Sequence, residues 1–116
     1  MSEFDDLVSR PGVIMAGRIG PDGRVAEHKS TAFYVEPPWA LEMAHWFTTA
    51  ATAMFAAMAA ALDGVTTAGS WRPIKTWMYI GGDYALAVHG AYFVVGESAK
   101  VGSFDEIAGL LRQLDS

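Results

Sequence analysis

The stretch Trp77 to Ser98, WMYIGGDYALAVHGAYFVVGES, decides the fold. Apolar runs at Lys75 to Ile80, Tyr84 to His89 and Ala91 to Glu97 are broken at Gly81, Gly82, Asp83 and again at Gly90. Residues of that kind turn a chain sharply, and runs of that length between them predict an antiparallel meander of three strands. On the middle run, Tyr84, Leu86 and Val88 point one way and Ala85, Ala87 and His89 the other, so one side is bulky and the other smooth. The smooth side is expected to admit an alanine-rich helix.

Such a helix lies upstream. It is predicted to start near Pro37 and Pro38, which suit a first helical turn, and to run to Leu62 before Asp63 and Gly64 end it. Its Ala, Leu and Met content favours helix. Trp46 to Leu62, WFTTAATAMFAAMAAAL, holds no charge in 17 residues, at the lower limit of about 17 to 25 for a membrane span. It is built of Ala and Thr more than Leu and Ile and is flanked by Glu42 and Asp63 without basic anchors, so a soluble helix buried on more than one face is expected, not a span. Asp63 to Ile74, with Gly64, Gly69, Trp71, Arg72 and Pro73, connects it to the meander.

Toward the start, Ser2 can cap a short helix carrying Glu3, Asp5 and Asp6 in its first turn, with Phe4, Leu7 and Val8 on one side. Pro11 and Gly12 stop it. Val13 to Ile19 and Arg24 to Ser30 flank the turn Gly20, Pro21, Asp22, Gly23 and predict a β-hairpin whose second strand is a charged, solvated edge. Toward the end, Ser103 and Glu106 have capping-box spacing, and Phe104, Ile107, Leu111 and Leu114 form a helical stripe. The predicted order is α, β, β, long α, β, β, β, α in an α/β domain covering residues 1–116.

Composition narrows the function classes. Hydrophobic residues make up 52% of the 116 and charged residues 18%, which is apolar for so small a domain and calls for burial against another subunit. The net charge of -5 argues against nucleic acid or an anionic membrane as partner. No cysteine is present, so disulfides, thiolate metal sites and thiol nucleophiles are excluded. The acidic start, MSEFDDLVSR, is unlike a secretory signal, and the expected compartment is the cytoplasm.

Together with PGVIMAGRIGPDGRVAEHK from Pro11 to Lys29, the meander and this order of elements resemble the roadblock/LC7 superfamily, and most of all a prokaryotic branch of unknown function. The shared features are Pro11 and Gly12 before the first strand, the turn Pro21, Asp22, Gly23, and Gly81, Gly82 with Asp83. The resemblance implies an α+β, roadblock/profilin-like fold: a five-stranded antiparallel sheet with the long helix on one face and the two terminal helices on the other. It also implies homodimers and, in the better-understood branches, control or anchoring of small GTPases or dynein. Trp39, Trp46, Trp71 and Trp77, and the loop with Arg72 and Pro73, depart from the regulators of GTPases.

Candidate chemistry is sparse. No GxSxG elbow, Walker loop or HExxH helix occurs, and no GK[ST] follows Gly81, Gly82, Asp83. His28, His45 and His89 lie on separate elements without a second ligand at metal spacing. Asp5 with Asp6 and Asp105 with Glu106 sit in first helical turns, where the dipole accounts for them. No catalytic residue, cofactor or metal is therefore expected. Met43, Met54 and Met58 could line a ligand pocket between the long helix and the sheet, which would make the chain a small-molecule sensor, but core packing is the preferred reading of them.

The leading expectation is a non-enzymatic homodimeric interaction module, an adaptor or regulator. Lys75 to Ile80 has one charge and no proline, so as a free edge it invites pairing. A two-fold axis there would join Lys75, Trp77, Met78 and Tyr79 to their twins and bring Ala53, Met54, Ala57 and Met58 of the long helices together. Ala53, Ala57 and Ala60 are expected to lie against another backbone.

Overall fold

The computed structural model describes residues 3–30, 46–65 and 69–115. Its elements are α1 (Asp5–Val8), β1 (Val13–Ile19), β2 (Val25–Ser30), a long helix α2 (Thr52–Val65) entered through a π-helical turn at Phe47–Ala51, β3 (Thr76–Ile80), β4 (Tyr84–His89), β5 (Tyr92–Glu97) and α3 (Phe104–Leu114). The predicted order of elements holds. The expected starts of the first and the long helix, at Ser2 and near Pro37, lie outside the described residues, as do Trp39, Met43 and His45. α2 continues to Val65, past Asp63 and Gly64.

The strands form one antiparallel sheet in the order β2-β1-β5-β4-β3, so β2 and β3 are its edges. In the turn between β1 and β2 the Gly23 N–H donates to the Gly20 carbonyl at 2.9 Å and the Asp22 carboxylate accepts from the Arg24 N–H at 3.1 Å. The turn of Gly81, Gly82 and Asp83 is braced from the residue that follows β5, since Ser98 donates its N–H to the Asp83 carbonyl and its hydroxyl to the Gly82 carbonyl, both at 3.0 Å. It is a strand turn, as its sequence implied. Gly12 adopts φ +82°, and a Cβ there would sit 2.6 Å from the Val101 nitrogen. Only glycine satisfies both demands, which lets the chain entering β1 pass under the loop before α3.

Two layers cover the two faces. On one, α1 and α3 bring Phe4, Leu7, Ile107 and Leu111 onto Val13, Ala16, Ala87 and Val94. Each of those large side chains is fully or almost fully buried and stabilises the fold by about 1.5–3 kcal/mol. On the other, Ala51 and Phe55 of the long helix meet Met15, Trp77, Leu86, Val88 and Phe93. The smooth side of β4 thus faces α3, whereas the alanine-rich helix lies on the bulky side, contrary to expectation. The reason is volume complementarity: large side chains fill the space over small ones, and the slender helix fits over the large ones.

At α3 the Ser103 side chain accepts from the Glu106 N–H at 3.2 Å, the expected cap. The reciprocal half of the box is absent among the described contacts. The Glu106 carboxylate instead accepts from Arg10 at 2.8 Å, tying the first loop to the last helix.

Candidate interaction surface

The long helix touches the sheet along one stripe. Thr48, Ala51, Thr52, Phe55, Ala59 and Leu62 are buried or half-buried, at a spacing of three to four residues, and the remaining described side chains of this segment are exposed apart from half-buried Asp63. Among the described residues the helix is therefore buried on one face, not on more than one as expected. Thr48–Val65 is long and apolar enough to cross a membrane by length and composition, and only 11% of it is buried. It is nonetheless fastened to the sheet: the Trp77 indole Nε1 donates to Thr52 Oγ1 at 2.9 Å, and the Trp77 and Phe55 rings lie 5.2 Å apart, tilted by 42°.

What this leaves uncovered is a methionine and alanine surface. Met54 is 63% exposed and Met58 53%, and Ala53, Ala57 and Ala60 are also at the surface. Both core packing and a pocket lining beneath the helix are thus wrong for Met54 and Met58, which turn outward from the helix–sheet layer. Nor does the small-residue face lie against a backbone among the described residues. Because Thr52 and Phe55 reach Trp77, the helix crosses the sheet beside edge strand β3. There Met78, Tyr79 and Ile80 are exposed and Lys75 just precedes the strand, also exposed. Of the residues expected at a dimer interface, seven lie open and one, Trp77, is buried within its own chain. An edge strand of the described sheet next to an apolar helix face is a surface suited to pairing with another chain. The opposite edge, β2, carries exposed Glu27 and His28, with Glu27 accepting from Arg18 at 3.1 Å.

Two polar clusters were not foreseen. At the end of α2, the Asp63 carboxylate accepts from the Trp71 N–H at 2.5 Å and from Arg72 Nε at 2.7 Å. These bonds, the Trp71 backbone first and then Arg72, hold the Asp63 carboxyl below its usual range against the opposing effect of burial. Arg72 is thereby tied to the end of the long helix. A carboxyl whose folded value is depressed stabilises the fold above its unfolded value and loses that contribution as pH falls through the folded one. Asp63→Asn is expected to loosen the loop at 69–72 at neutral pH, read as faster amide exchange at Trp71, and the difference from the native chain is expected to vanish as the pH falls through the folded value of Asp63. Equal exchange at neutral pH would show that the loop is held otherwise.

The second cluster is at the start of β3, where Thr76 Oγ1 lies 2.6 Å from His89 Nδ1 and His89 Nε2 lies 3.4 Å from the Asp115 carboxylate. No group of three or more His, Cys, Asp or Glu side chains fit to hold a metal occurs among the described residues. A surface cavity of about 270 Å³ is lined by Arg10, Pro11, Val101, Ser103, Glu106 and Ile107, away from the long helix.

The family model of an uncharacterized conserved protein, DUF2173, matches residues 3–113. The chain belongs to that family. Comparison of its sequence with curated proteins gives no match. Among solved structures, it is similar to the gliding protein MglB from Thermus thermophilus, with a TM-score of 0.70 at 20% identity over 95% of this chain and 84% of that one. A structure described as MglB with a tetrameric arrangement is similar at a TM-score of 0.70 and 18% identity, over 95% of this chain and 83% of that one. At such identities the likeness is one of fold. It is the roadblock/LC7 fold that the motifs of this DUF2173 member implied, with a five-stranded antiparallel sheet between one long helix and two terminal ones.

Proposed function

We propose that residues 1–116 form one non-enzymatic, homodimeric interaction module, an adaptor or regulator in the cytoplasm. Two copies pair through β3 and pack their long helices together, and the partner class implied by the roadblock resemblance is a small GTPase. The observation that carries this reading is the exposed Met54 and Met58 face beside an edge strand of the described sheet. The tetrameric arrangement described for an MglB of the same fold supports self-assembly. In the proposed interface Lys75, Met78 and Tyr79 line the paired edge, Trp77 supports it from beneath, and Ala53, Met54, Ala57 and Met58 meet across the axis.

Ala57 tests it. In a single chain the side chain is at the surface, so leucine there has room among the described residues. Across a packed axis the same change overfills the contact and costs about 1 to 3 kcal/mol. Ala57→Leu is expected to lower the melting temperature and weaken the dimer, and the native melting temperature is expected to rise with protein concentration. If the variant melts and weighs the same in solution as the native chain, this face is open and the interface lies elsewhere.

A further inference from the structure

The Thr76, His89 and Asp115 cluster joins β3, β4 and the C-terminal end of α3. Thr76 opens edge strand β3 and stands opposite His89 of β4 in the register. Asp115 caps the C-terminal end of α3, its N–H bonded to the Leu111 and Gln113 carbonyls. The imidazole between them is mostly buried and has each ring nitrogen directed at one partner. The approach is permitted by Gly90: its φ is +60°, and a Cβ on it would lie 3.0 Å from the Asp115 Oδ2. A side chain at this turn would push the helix end away from the ring. The same glycine donates its N–H to the Lys75 carbonyl at 3.4 Å, so the turn, the start of β3 and the end of α3 meet at one point.

We propose that His89 is a tie through which the C-terminal end of α3 sets the seating of the β3 edge, so that the position of the helix end governs how firmly that edge is presented to a second copy. The link to self-association rests on the reading that β3 is the paired edge. The tie itself does not. Asp115 makes no described contact with β3, yet through His89 its loss reaches that strand, because an imidazole held at one nitrogen only is free to turn from the Thr76 hydroxyl.

Amide hydrogen exchange on the full chain tests this, with Asp115→Ala, Thr76→Val and Thr76→Ser compared with the native protein. Asp115→Ala and Thr76→Val are each expected to speed exchange across Trp77 to Ile80 by about tenfold, the scale of one part-buried hydrogen bond. Thr76→Ser keeps the hydroxyl and is expected to leave it near native. Ala16 to Arg18, in the sheet interior, should be unchanged in all three, which separates the effect from general loosening. Sedimentation equilibrium should show the Asp115→Ala dimer dissociating more readily by a similar factor. Faster exchange confined to α3 in Asp115→Ala, or Thr76→Ser behaving as Thr76→Val, would overturn the tie. An unchanged dimer beside a loosened β3 would overturn its control of pairing. A native chain that is monomeric throughout would instead defeat the paired-edge reading, while the exchange comparison still decides the tie.

Discussion

Replacing Tyr79 with lysine is expected to leave the chain folded and make it monomeric. Tyr79 of β3 stands opposite Leu86 of β4, and its side chain is 55% exposed. In a paired edge the two-fold axis places a second copy of the same residue nearby, and each lysine ammonium would have to leave water beside a like charge. The penalty is about 2–4 kcal/mol, a rise in Kd of roughly a hundredfold. Val25→Lys is the control, because Val25 lies on β2 at the far edge and should leave the dimer intact. Light scattering at micromolar concentration reads both. A native monomer, or a Tyr79→Lys dimer as tight as the native one, removes β3 from the interface.

Trp77→Ala should have the largest effect on stability, about 3–5 kcal/mol, as expected for truncating a buried aromatic residue. The side chain is 7% exposed, lies against Phe55 and bonds Thr52, so its loss both opens a cavity and unfastens the long helix from the sheet. Trp77→Phe keeps most of the apolar contact and loses the indole donor, and should cost nearer 1 kcal/mol. Urea titrations followed by far-UV circular dichroism give both values. If Trp77→Ala unfolds at the native midpoint, the helix is held by something other than this contact. The burial of Trp77 also makes a lysine at this position a poor probe of dimerisation, since it would damage the subunit before any interface.

The strands were legible because punctuation and period agree: Gly81, Gly82, Asp83 and Gly90 isolate runs that alternate as a pleat requires. The charged β2 and uncharged β3 ends of the sheet could likewise be told apart by composition. What lay beyond reach was which layer covers which face. Alternation on β4 separates Leu86 and Val88 from Ala85 and Ala87, but the choice belongs to the helices, whose bulk is set by Phe4, Leu7, Ile107 and Leu111 on one side and Phe55 on the other. Met54 and Met58 were misplaced for a related reason. Helical spacing marks a face without saying whether the subunit itself buries it, and only the stripe through Thr52, Phe55 and Ala59 is used. The polar clusters were hidden more deeply, since Thr76 meets His89 by strand register and Asp63 meets Trp71 by the path of a loop, neither of which has a local spacing.

The central pairing of the sheet joins the two ends of the chain, with Met15 opposite Val95 and Ala16 opposite Val94. During synthesis the β1–β2 hairpin therefore emerges long before β5 exists, and its inner edge stays without a neighbour while the long helix and the meander are made. Closing so distant a contact is slow compared with forming a hairpin or a helix. Until then the newborn chain exposes Met15, Ile14 and the bare side of β1, the surfaces most prone to pair with the wrong strand. Production of this protein should accordingly respond to chaperone supply and growth temperature more strongly than the stability of its finished sheet would suggest.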